Sequence, residues 1–309
     1  MAVSLTAAPA IDENGSVPGV LVLGSLNVDH IVRVAALPEP GETLLSDHYS
    51  VAPGGKGRNQ AAAVAALGGR AWLAGAVGDD ASGAWLRKDI ARRGVDHSLV
   101  LTVTGAATGL ALITVDSAGE NTIVVHPGAN SRAAAVPGEL LDSSRHPVLL
   151  CSLEVPLAAV AATASTARSC GMTTVVNAAP MVGARDGRLA AILEHTDILI
   201  INRSEAAELV GRADVAVDPV PAVADWRPAT GPEVIVTLGA EGAVRVGDGG
   251  LAPFPAGKVE ARSTVGAGDT FAGALSLGLA EGVDLDEAIV NAVGAAAAFV
   301  SGRRRCPGT

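Results

Sequence analysis

The chain has 309 residues, 49% of them hydrophobic and 17% charged, so it is long enough to bury one large α/β core. Its formal net charge of −10 argues against broad binding to nucleic acid, because affinity for a phosphate backbone requires clustered Lys and Arg. Aromatic residues make up only 2% of the chain, which argues against a surface that stacks bases. The basic run at 303–305 is short and terminal, and we expect a solvated tail there.

Cysteine usage and the N-terminus predict a cytoplasmic protein that does not enter a membrane. Cys151, Cys170 and Cys306 form no CxxC pair, which disfavours a structural zinc site or a disulfide framework and fits a reducing compartment. No apolar run reaches the ~18 residues that a bilayer-spanning helix needs. Residues 1–18 carry two acidic residues and no positively charged start, so we expect a disordered extension rather than a signal peptide.

From residue 20 onward, short runs of Val, Leu and Ile alternate with amphipathic stretches, a pattern typical of a mostly parallel sheet flanked by helices. Strands are predicted, in chain order, at 20–23, 71–77, 148–150, 173–177, 198–201 and 234–237. Helices are predicted at 58–67, 81–93, about 268–281 and 284–301. We find no internal repeat and no long linker, so residues 19–309 are expected to form one domain.

Two stretches, 30–54 and about 98–126, alternate with period two and contain turn residues, PEPG at 38–41 and SAGE at 117–120. This pattern predicts hairpins that cannot join the parallel sheet. We expect them to form a small β lid over the carboxyl edge of the main sheet, where sites of open α/β folds lie. A lid in that position would exclude water from the site.

The segment STVGAGDTF at 263–271 combines three features that suit phosphoryl transfer. Gly266, Ala267 and Gly268 are small enough for backbone to approach a ligand closely. A helix begins directly after them, so unpaired N–H groups and the positive end of the helix dipole face forward. Asp269 places a carboxylate at the same point. The alternative is that Asp269 only caps the helix.

In such a site the amides would hold the transferring phosphoryl group while Asp269 accepts the proton of the attacking hydroxyl. One preorganised backbone donor of this kind contributes about 10²–10³ in rate. A general base commonly contributes about 10²–10⁴, although less if proton transfer is late in a loose transition state.

Two earlier segments offer groups for a polyhydroxylated ligand. GGKGRNQ at 54–60 has no Walker A pattern, but Lys56 and Asn59 on a Gly-rich turn can hydrogen-bond to hydroxyl groups. The alternative is a tight turn with a solvent-exposed Lys. Asn27 and Asp29 follow the first strand two residues apart, so both can face one side of an extended segment. A turn-forming Asn/Asp pair is the alternative here.

Two later segments suit a nucleotide and its metal. Asn202 and Glu205, three apart at the end of a predicted strand, can position Mg²⁺ through water, or can form a capping pair at a helix start. Thr237, Gly239 and Gly242 lie on a strand-to-turn segment suited to backbone contact with a nucleotide, and a plain hairpin turn is equally compatible.

In this order, the five segments resemble the ribokinase-like carbohydrate kinase family from about Val20 to about Ser301. The resemblance is carried by LGSLNVDH, PGET, GGKGRNQA, AVGDD followed by SG, GENTIVVHPGAN and SLEVPL. The Gly-Gly turn and the GAGD turn, about 210 residues apart, are specific for the family when found together. The resemblance implies an α/β fold with a central, mostly parallel sheet flanked by helices and a small β lid, which in relatives also forms a dimer clasp.

The resemblance also implies roles at matching positions. Catalytic positions match Asp269 as the base, with Gly266, Ala267 and Gly268 as the anion hole. Sugar-binding positions match Asn27, Asp29, Gly55, Lys56, Asn59 and Glu154, with Asp269 beside the acceptor hydroxyl. Positions that bind ATP match Asn202, Thr237, Gly239, Gly242 and Gly268, and those that order Mg²⁺ through water match Asn202 and Glu205.

The implied reaction is transfer of a phosphoryl group from ATP to a sugar, with ribose as the leading acceptor and ribose 5-phosphate as the product. Another furanose such as deoxyribose, a nucleoside, or a non-catalytic sugar-binding role on the same fold are the alternatives. Nucleoside kinases often place an aromatic ring over the base, and Tyr49 is the only aromatic residue of the predicted lid.

Three departures from the family pattern carry expectations of their own. Ser263 stands where relatives have an Asp at a monovalent-cation site that also includes Val265, and Arg304 lies in the loop supplying the other ligands, so we expect weak or absent K⁺ activation. The chain ends at Thr309, which could leave the adenine wall near Val293 incomplete. Arg203 replaces a Glu inside the NxxE element, which changes the charge beside the metal.

Overall fold

The computed structural model describes residues 19–46, 48–184, 187–211, 218–260 and 264–302, and the predicted extension at 1–18 lies outside them. Its strands are β1 (Gly19–Leu23), β2 (Asn27–Arg33), β3 (His48–Gly54), β4 (Arg70–Gly78), β5 (Val100–Val103), β6 (Gly109–Val115), β7 (Asn121–His126), β8 (Val148–Ser152), β9 (Thr173–Asn177), β10 (Ile198–Asn202), β11 (Glu233–Thr237), β12 (Gly242–Gly247) and β13 (Gly250–Pro255).

The α-helices within these ranges are α1 (Lys56–Ala66), α2 (Ala81–Arg92), α3 (Leu157–Ser169), α4 (Ala190–Leu193), α5 (Arg203–Leu209), α6 (Val220–Trp226), α7 (Ala267–Ala280) and α8 (Leu285–Val300). Each predicted strand and helix is present, with ends that differ by at most two residues. Among the described residues, no helix has the length and hydropathy needed to cross a membrane.

The larger sheet has the strand order β13-β12-β11-β10-β9-β8-β1-β4-β5. All strands from β11 to β5 are parallel, while β12 and β13 add an antiparallel edge. The carboxyl ends of β9, β10 and β11 therefore meet at one edge, where Asn177, Asn202 and Thr237 are the last residues of their strands. This edge positions the candidate site.

Two cores sandwich this sheet because successive side chains of each strand point to opposite faces. Val20 and Val22 of β1 belong to the core covered by α1, α2, α7 and α8. Leu21 and Leu23 belong to the core covered by α3, α4, α5 and α6. Burial on both faces explains why the strands are continuous apolar runs rather than alternating ones.

The smaller sheet has the order β3-β2-β6-β7, with β2 and β6 parallel and the outer pairs antiparallel. One face carries Asp29 and the buried cluster Ala111, Ile113 and Val115. The other face is apolar and exposed, with Tyr49, Val51, Leu112 and Val124 all more than a third accessible. We call it the outer face of the small sheet.

The prediction that all of 98–126 stays outside the parallel sheet is wrong for its first part. β5 pairs in parallel with β4 and forms the far edge of the larger sheet, after the α2 crossover. A short edge strand with one buried face shows the same alternation as a hairpin strand, so periodicity alone does not separate them. The small sheet is built from residues 27–54 and 109–126.

Candidate active site

The N-terminus of α7 opens onto the cleft through a left-handed turn. Gly266 is the N-cap residue with φ of 88°, a conformation that costs other L-residues about 1–2 kcal/mol. Among the residues that the structure describes, no side chain caps this helix end. The Ala267 amide donates to the Thr264 carbonyl at 3.2 Å, whereas the amides of Gly268 and Asp269 have no acceptor within the described part of the chain. Two amides are therefore available for an anion.

Asp269 lies in the first turn of α7 and is held from α1. Its Oδ2 accepts from Asn59 Nδ2 at 3.1 Å and its Oδ1 accepts from Gln60 Nε2 at 3.2 Å. Burial raises the pKa of Asp269, and Lys56 and the two amide donors act in the opposite direction. The carboxylate does not cap its own helix, so the capping interpretation is wrong.

The cleft beside Asp269 lies at the carboxyl edge of the larger sheet and against the start of α7. Seven of the predicted site residues line it, namely Lys56, Asn202, Glu205, Thr237, Gly266, Gly268 and Asp269. Asn177, Ala179, Ile200 and Ile201 complete the lining. The carboxylate that the sequence singles out thus faces a cavity.

The Gly-Gly turn forms the start of α1 and ties Lys56 to Glu154. Gly55 is the N-cap residue of α1 with φ of 92°. The Lys56 amide donates to Ser25 Oγ at 3.0 Å and to Glu154 Oε2 at 3.3 Å, and Ser25 Oγ donates to the same carboxylate oxygen. The sequence identified Lys56 and Glu154 separately. In the structure, the Lys56 backbone amide contacts the Glu154 side chain.

Asn27 and Asp29 share one face of β2, as predicted from their spacing. Asn27 is 2% exposed and its Oδ1 accepts from Asn130 Nδ2 at 2.8 Å. The Asp29 carboxylate packs against Gly54, where a Cβ atom would come within 2.2 Å of it. Burial raises the pKa of Asp29 to about 6, with Glu154 adding to the rise.

Asn202 and Glu205 form a complete capping box at the start of α5. Asn202 Oδ1 accepts from the Glu205 amide at 2.9 Å, and Glu205 Oε2 accepts from the Asn202 amide at 2.8 Å. Both residues also line the cleft. Burial raises the pKa of Glu205, opposed by its hydrogen bond to Asn202 and by Lys56. The capping alternative is therefore confirmed, and the carboxylate still borders the cavity.

The remaining predicted positions lie further from the cleft or outside the described residues. Gly239 begins the short 3₁₀ turn that joins the antiparallel strands β11 and β12, and Gly242 begins β12 at φ of 101°. Val265 is 48% exposed and does not line the cleft. Ser263 and Arg304 lie outside the described residues. Val293 is buried in the core with α7.

Sequence reasoning did not assign three residues that shape the site. Asn130 is 1% exposed and also bonds both the amide and the carbonyl of Leu26. Gln60 holds Asp269, and Asn177 lines the cleft. Asn177 could have been found as a polar residue ending a predicted strand, like Asn202. Asn130 and Gln60 lie in quoted motifs, but their partners are 104 and 209 residues away.

A family model described as pfkB family carbohydrate kinase matches residues 18–306. The chain belongs to this family. It is a sugar kinase that transfers a phosphoryl group to a hydroxyl, and both the expected fold and the expected resemblance are confirmed.

Individual pfkB kinases are similar over nearly the whole chain. Ribokinase of Haemophilus influenzae is 36% identical over 284 residues, covering 91% of this chain and 90% of that protein. The crystal structure of ribokinase from Cryptococcus neoformans var. grubii serotype A in complex with ADP has a TM-score of 0.80 at 32% identity, covering 92% and 94% of the two chains. Arabidopsis thaliana ribokinase complexed with ribose and ATP has a TM-score of 0.77 at 27% identity, covering 92% of each chain.

Proposed function

We propose that this kinase transfers the γ-phosphoryl group of ATP to D-ribose, giving ribose 5-phosphate and ADP. The observation that carries the proposal is the juxtaposition of Asp269 with two available amides at the start of α7, on a cleft that Lys56 also lines. Support comes from relatives named ribokinase and from solved relatives that hold ribose with ATP, or ADP.

In the proposed reaction, Asp269 accepts the proton of the attacking hydroxyl while the new O–P bond forms and the bond to the β-phosphate oxygen breaks. Burial makes the carboxylate a stronger base, and Lys56, Asn59 and Gln60 favour its ionised form. The amides of Gly268 and Asp269 stabilise charge on the transferring group. Gly266 and Ala267 shape this turn. The Ala267 amide is not available to the transferring group, because it already donates to the Thr264 carbonyl.

We infer that the sugar lies between the start of α1 and the small sheet. Asp29 and Glu154 supply carboxylates there, and charged acceptors make stronger hydrogen bonds to hydroxyl groups than neutral ones do. The proposed sugar-binding residues are Asn27, Asp29, Gly55, Lys56, Asn59 and Glu154, with Asp269 at the acceptor hydroxyl. Asn27 would contribute through its amino group, because Asn130 occupies its carboxamide oxygen.

ATP is proposed to lie along Asn202, Thr237, Gly239, Gly242 and Gly268, of which Asn202, Thr237 and Gly268 line the cleft. Asn202 and Glu205 fit Mg²⁺ held through water. The Glu205 carboxylate borders the cleft, and one hydrogen bond to its Oε2 leaves acceptor positions for metal-bound water. When bound, Mg²⁺ would neutralise charge on the β- and γ-phosphates.

K⁺ activation is proposed to be weak or absent. The proposal rests on the sequence, in which Ser263 replaces a carboxylate and Arg304 adds a positive charge where relatives bind the cation. Activity that rises strongly with KCl, and not with matched choline chloride, would overturn it.

We propose that a second copy of the chain covers the outer face of the small sheet, forming a homodimer. Exposed apolar side chains on one sheet face are typical of an interface rather than of a solvated surface. In sedimentation experiments the wild-type protein should be a dimer and Val124→Lys a monomer. A wild-type protein that sediments as a monomer would contradict the proposal.

A reducing cytoplasm is the proposed location, because Cys151 and Cys170 are free thiols.

The experiment that tests the proposed substrate measures ADP release with a panel of pentoses, hexoses and nucleosides. Ribose should give the highest kcat/KM. Tyr49 lies on the outer face, opposite to Asp29, so the small sheet offers no Phe, Tyr or Trp ring toward a nucleobase on the sugar side. Faster turnover of deoxyribose or a nucleoside would reassign the substrate, and ribose binding without ADP release would show a non-catalytic sugar-binding protein.

A further inference from the structure

Arg58 is a buried cation directly behind the proposed active site. Only 7% of the residue is exposed, and Asp89 on α2 is buried to the same extent. Arg58 Nε donates to Asp89 Oδ2 at 3.0 Å, and Nη2 donates to the same oxygen. Its third nitrogen, Nη1, donates to the carboxamide oxygen of Asn59 at 3.0 Å. The guanidinium therefore bridges α2 to the residue that holds Asp269.

The chemistry of this bridge decides which end of the Asn59 carboxamide faces Asp269. A guanidinium has only donors, so the group that meets Arg58 Nη1 must be an oxygen. The amino group of Asn59 must then point the other way, where it donates to Asp269 Oδ2 at 3.1 Å. Without Arg58, only the Asp269 carboxylate would select this orientation, and once Asp269 is protonated the Asn59 carboxamide could rotate and exchange its two ends.

We propose that Arg58, anchored by Asp89, is a positioning residue that keeps Asn59 as a hydrogen-bond donor to Asp269. This inference rests on the proposed role of Asp269 as the base. Arg58 does not line the cleft, so it acts on the reaction through Asn59.

The consequence is that the pKa of Asp269 rises less than burial alone would raise it. Lys56, Asn59 and Gln60 face Asp269 from α1, Glu154 faces it from the loop after β8, and Asp29 adds a charge from β2. Donation from Asn59 favours the carboxylate, whereas a rotated carboxamide would present an oxygen that favours the protonated acid. Loss of Arg58 should therefore raise the pH at which the base becomes active.

The test is the pH dependence of kcat for Arg58→Met, with Arg93→Met as the matched control. Arg93 Nε also donates to Asp89 Oδ2, at 3.1 Å, but its side chain is 46% exposed and does not reach Asn59. For Arg58→Met, the acidic limb of kcat should move up by about one unit, with about tenfold lower kcat on the acidic side of the limb and recovery at alkaline pH. Arg93→Met should keep the wild-type limb.

Two further variants separate positioning from folding. Arg58→Met combined with Asp89→Leu removes the ion pair as a whole, which preserves folding better than leaving one buried charge, and should show the same displaced limb. In an Asn59→Ala background, Arg58→Met should not move the limb further. Arg58 also lowers the pKa of Asp29, so a change confined to the KM for ribose would be an effect on the sugar side.

A wild-type kcat limb in both Arg58 variants, whatever their thermal stability, would overturn the inference. So would an additive effect of Arg58→Met on top of Asn59→Ala. Full turnover by Asp269→Asn would instead reject the proposed base, independently of the result at Arg58.

Discussion

Two helices begin on the same cleft, and the backbone amides at their N-termini are satisfied differently. At α5, Asn202 and Glu205 close a capping box in which each side chain satisfies the other's amide. At α7, no side chain of the described residues caps the helix, and within the same part of the chain the amides of Gly268 and Asp269 lack an acceptor. Both ends place a carboxylate three residues beyond the N-cap residue, yet only Glu205 bonds its own helix end.

The difference separates a helix end that stabilises the fold from one available for chemistry. A capped terminus has used its donors, and its carboxylate can act on a ligand only with its remaining acceptor positions. An open terminus keeps donors and dipole for an anion, at a cost to helix stability of only a few tenths of a kcal/mol, because its N-cap residue is Gly266. Asp269 can serve as a base because α1, rather than α7, supplies its hydrogen bonds.

The largest effect is expected at the carboxylate of the open terminus. Asp269→Asn should lower kcat by about 10²–10⁴, because the attacking hydroxyl loses its proton acceptor. Calorimetric affinities for ribose and ATP should change far less. Asp284→Asn serves as the control, since Asp284 caps α8 and accepts from the Glu287 amide, a bond that Asn can keep. Comparable loss in both variants would contradict a catalytic role.

Distorting the open terminus should give the next largest effect. Gly266→Ala forces a side chain into the left-handed region, and relaxation of the turn should re-aim the amides and lower kcat by about 10². Gly282→Ala is a matched control, because Gly282 has φ of 77° beyond the other end of α7 with no atom near its Cβ position. Both variants should lose thermal stability, Gly266→Ala the more because its Cβ atom would meet the Phe299 ring at 3.2 Å, and only Gly266→Ala should lose activity.

A change on the sugar side should leave both helix ends intact. Asp29→Asn should raise the KM for ribose about tenfold, since it removes a charged acceptor, with kcat nearly unchanged. The difference in KM should shrink as the pH falls through about 6, where the wild-type carboxylate takes up a proton. A pH series of initial rates for both proteins measures this, and a KM ratio that stays constant with pH would contradict the assignment.

The same substitution makes a prediction about stability. The folded protein holds the Asp29 proton more tightly than the unfolded chain, so stability is lost as the pH rises from the ordinary pKa of 3.8 to about 6. Asp29→Asn should therefore raise the Tm above pH 6, and the gain should vanish near the ordinary pKa. Thermal melts across this range test the sign.

The smallest effects are expected at the capped terminus. Asn202→Ala should lower the free energy of unfolding by about 1 kcal/mol through loss of the cap. Glu205→Gln keeps the capping box, since Gln also serves there, and removes a charge that would act on Mg²⁺ through water. We expect about a fivefold higher Mg²⁺ requirement, from roughly 1 kcal/mol of screened attraction. A loss of kcat in either variant as large as that of Asp269→Asn would contradict the assignment of different roles to the two helix ends.

The sequence predicts the layered fold because parallel strands buried on both faces leave unmistakable apolar runs, such as 198–201 and 234–237. It also predicts Asp269, since small residues and an acid coincide at a helix start. It misplaces β5, whose alternation is shared by edge strands and hairpins. It cannot find Gln60 or Arg58 as supports of Asp269, because those contacts depend on how α1 packs against α7 and α2, which no local pattern records.

The most direct test of the account is a crystal structure with ribose, ADP, Mg²⁺ and aluminium fluoride as a mimic of the transferring phosphoryl group. The account predicts a fluoride within about 3 Å of the amides of Gly268 and Asp269, and a ribose hydroxyl within about 3 Å of the Asp269 carboxylate. An anion bound at the start of α5, or an Asp269 carboxylate turned away from the sugar, would contradict it.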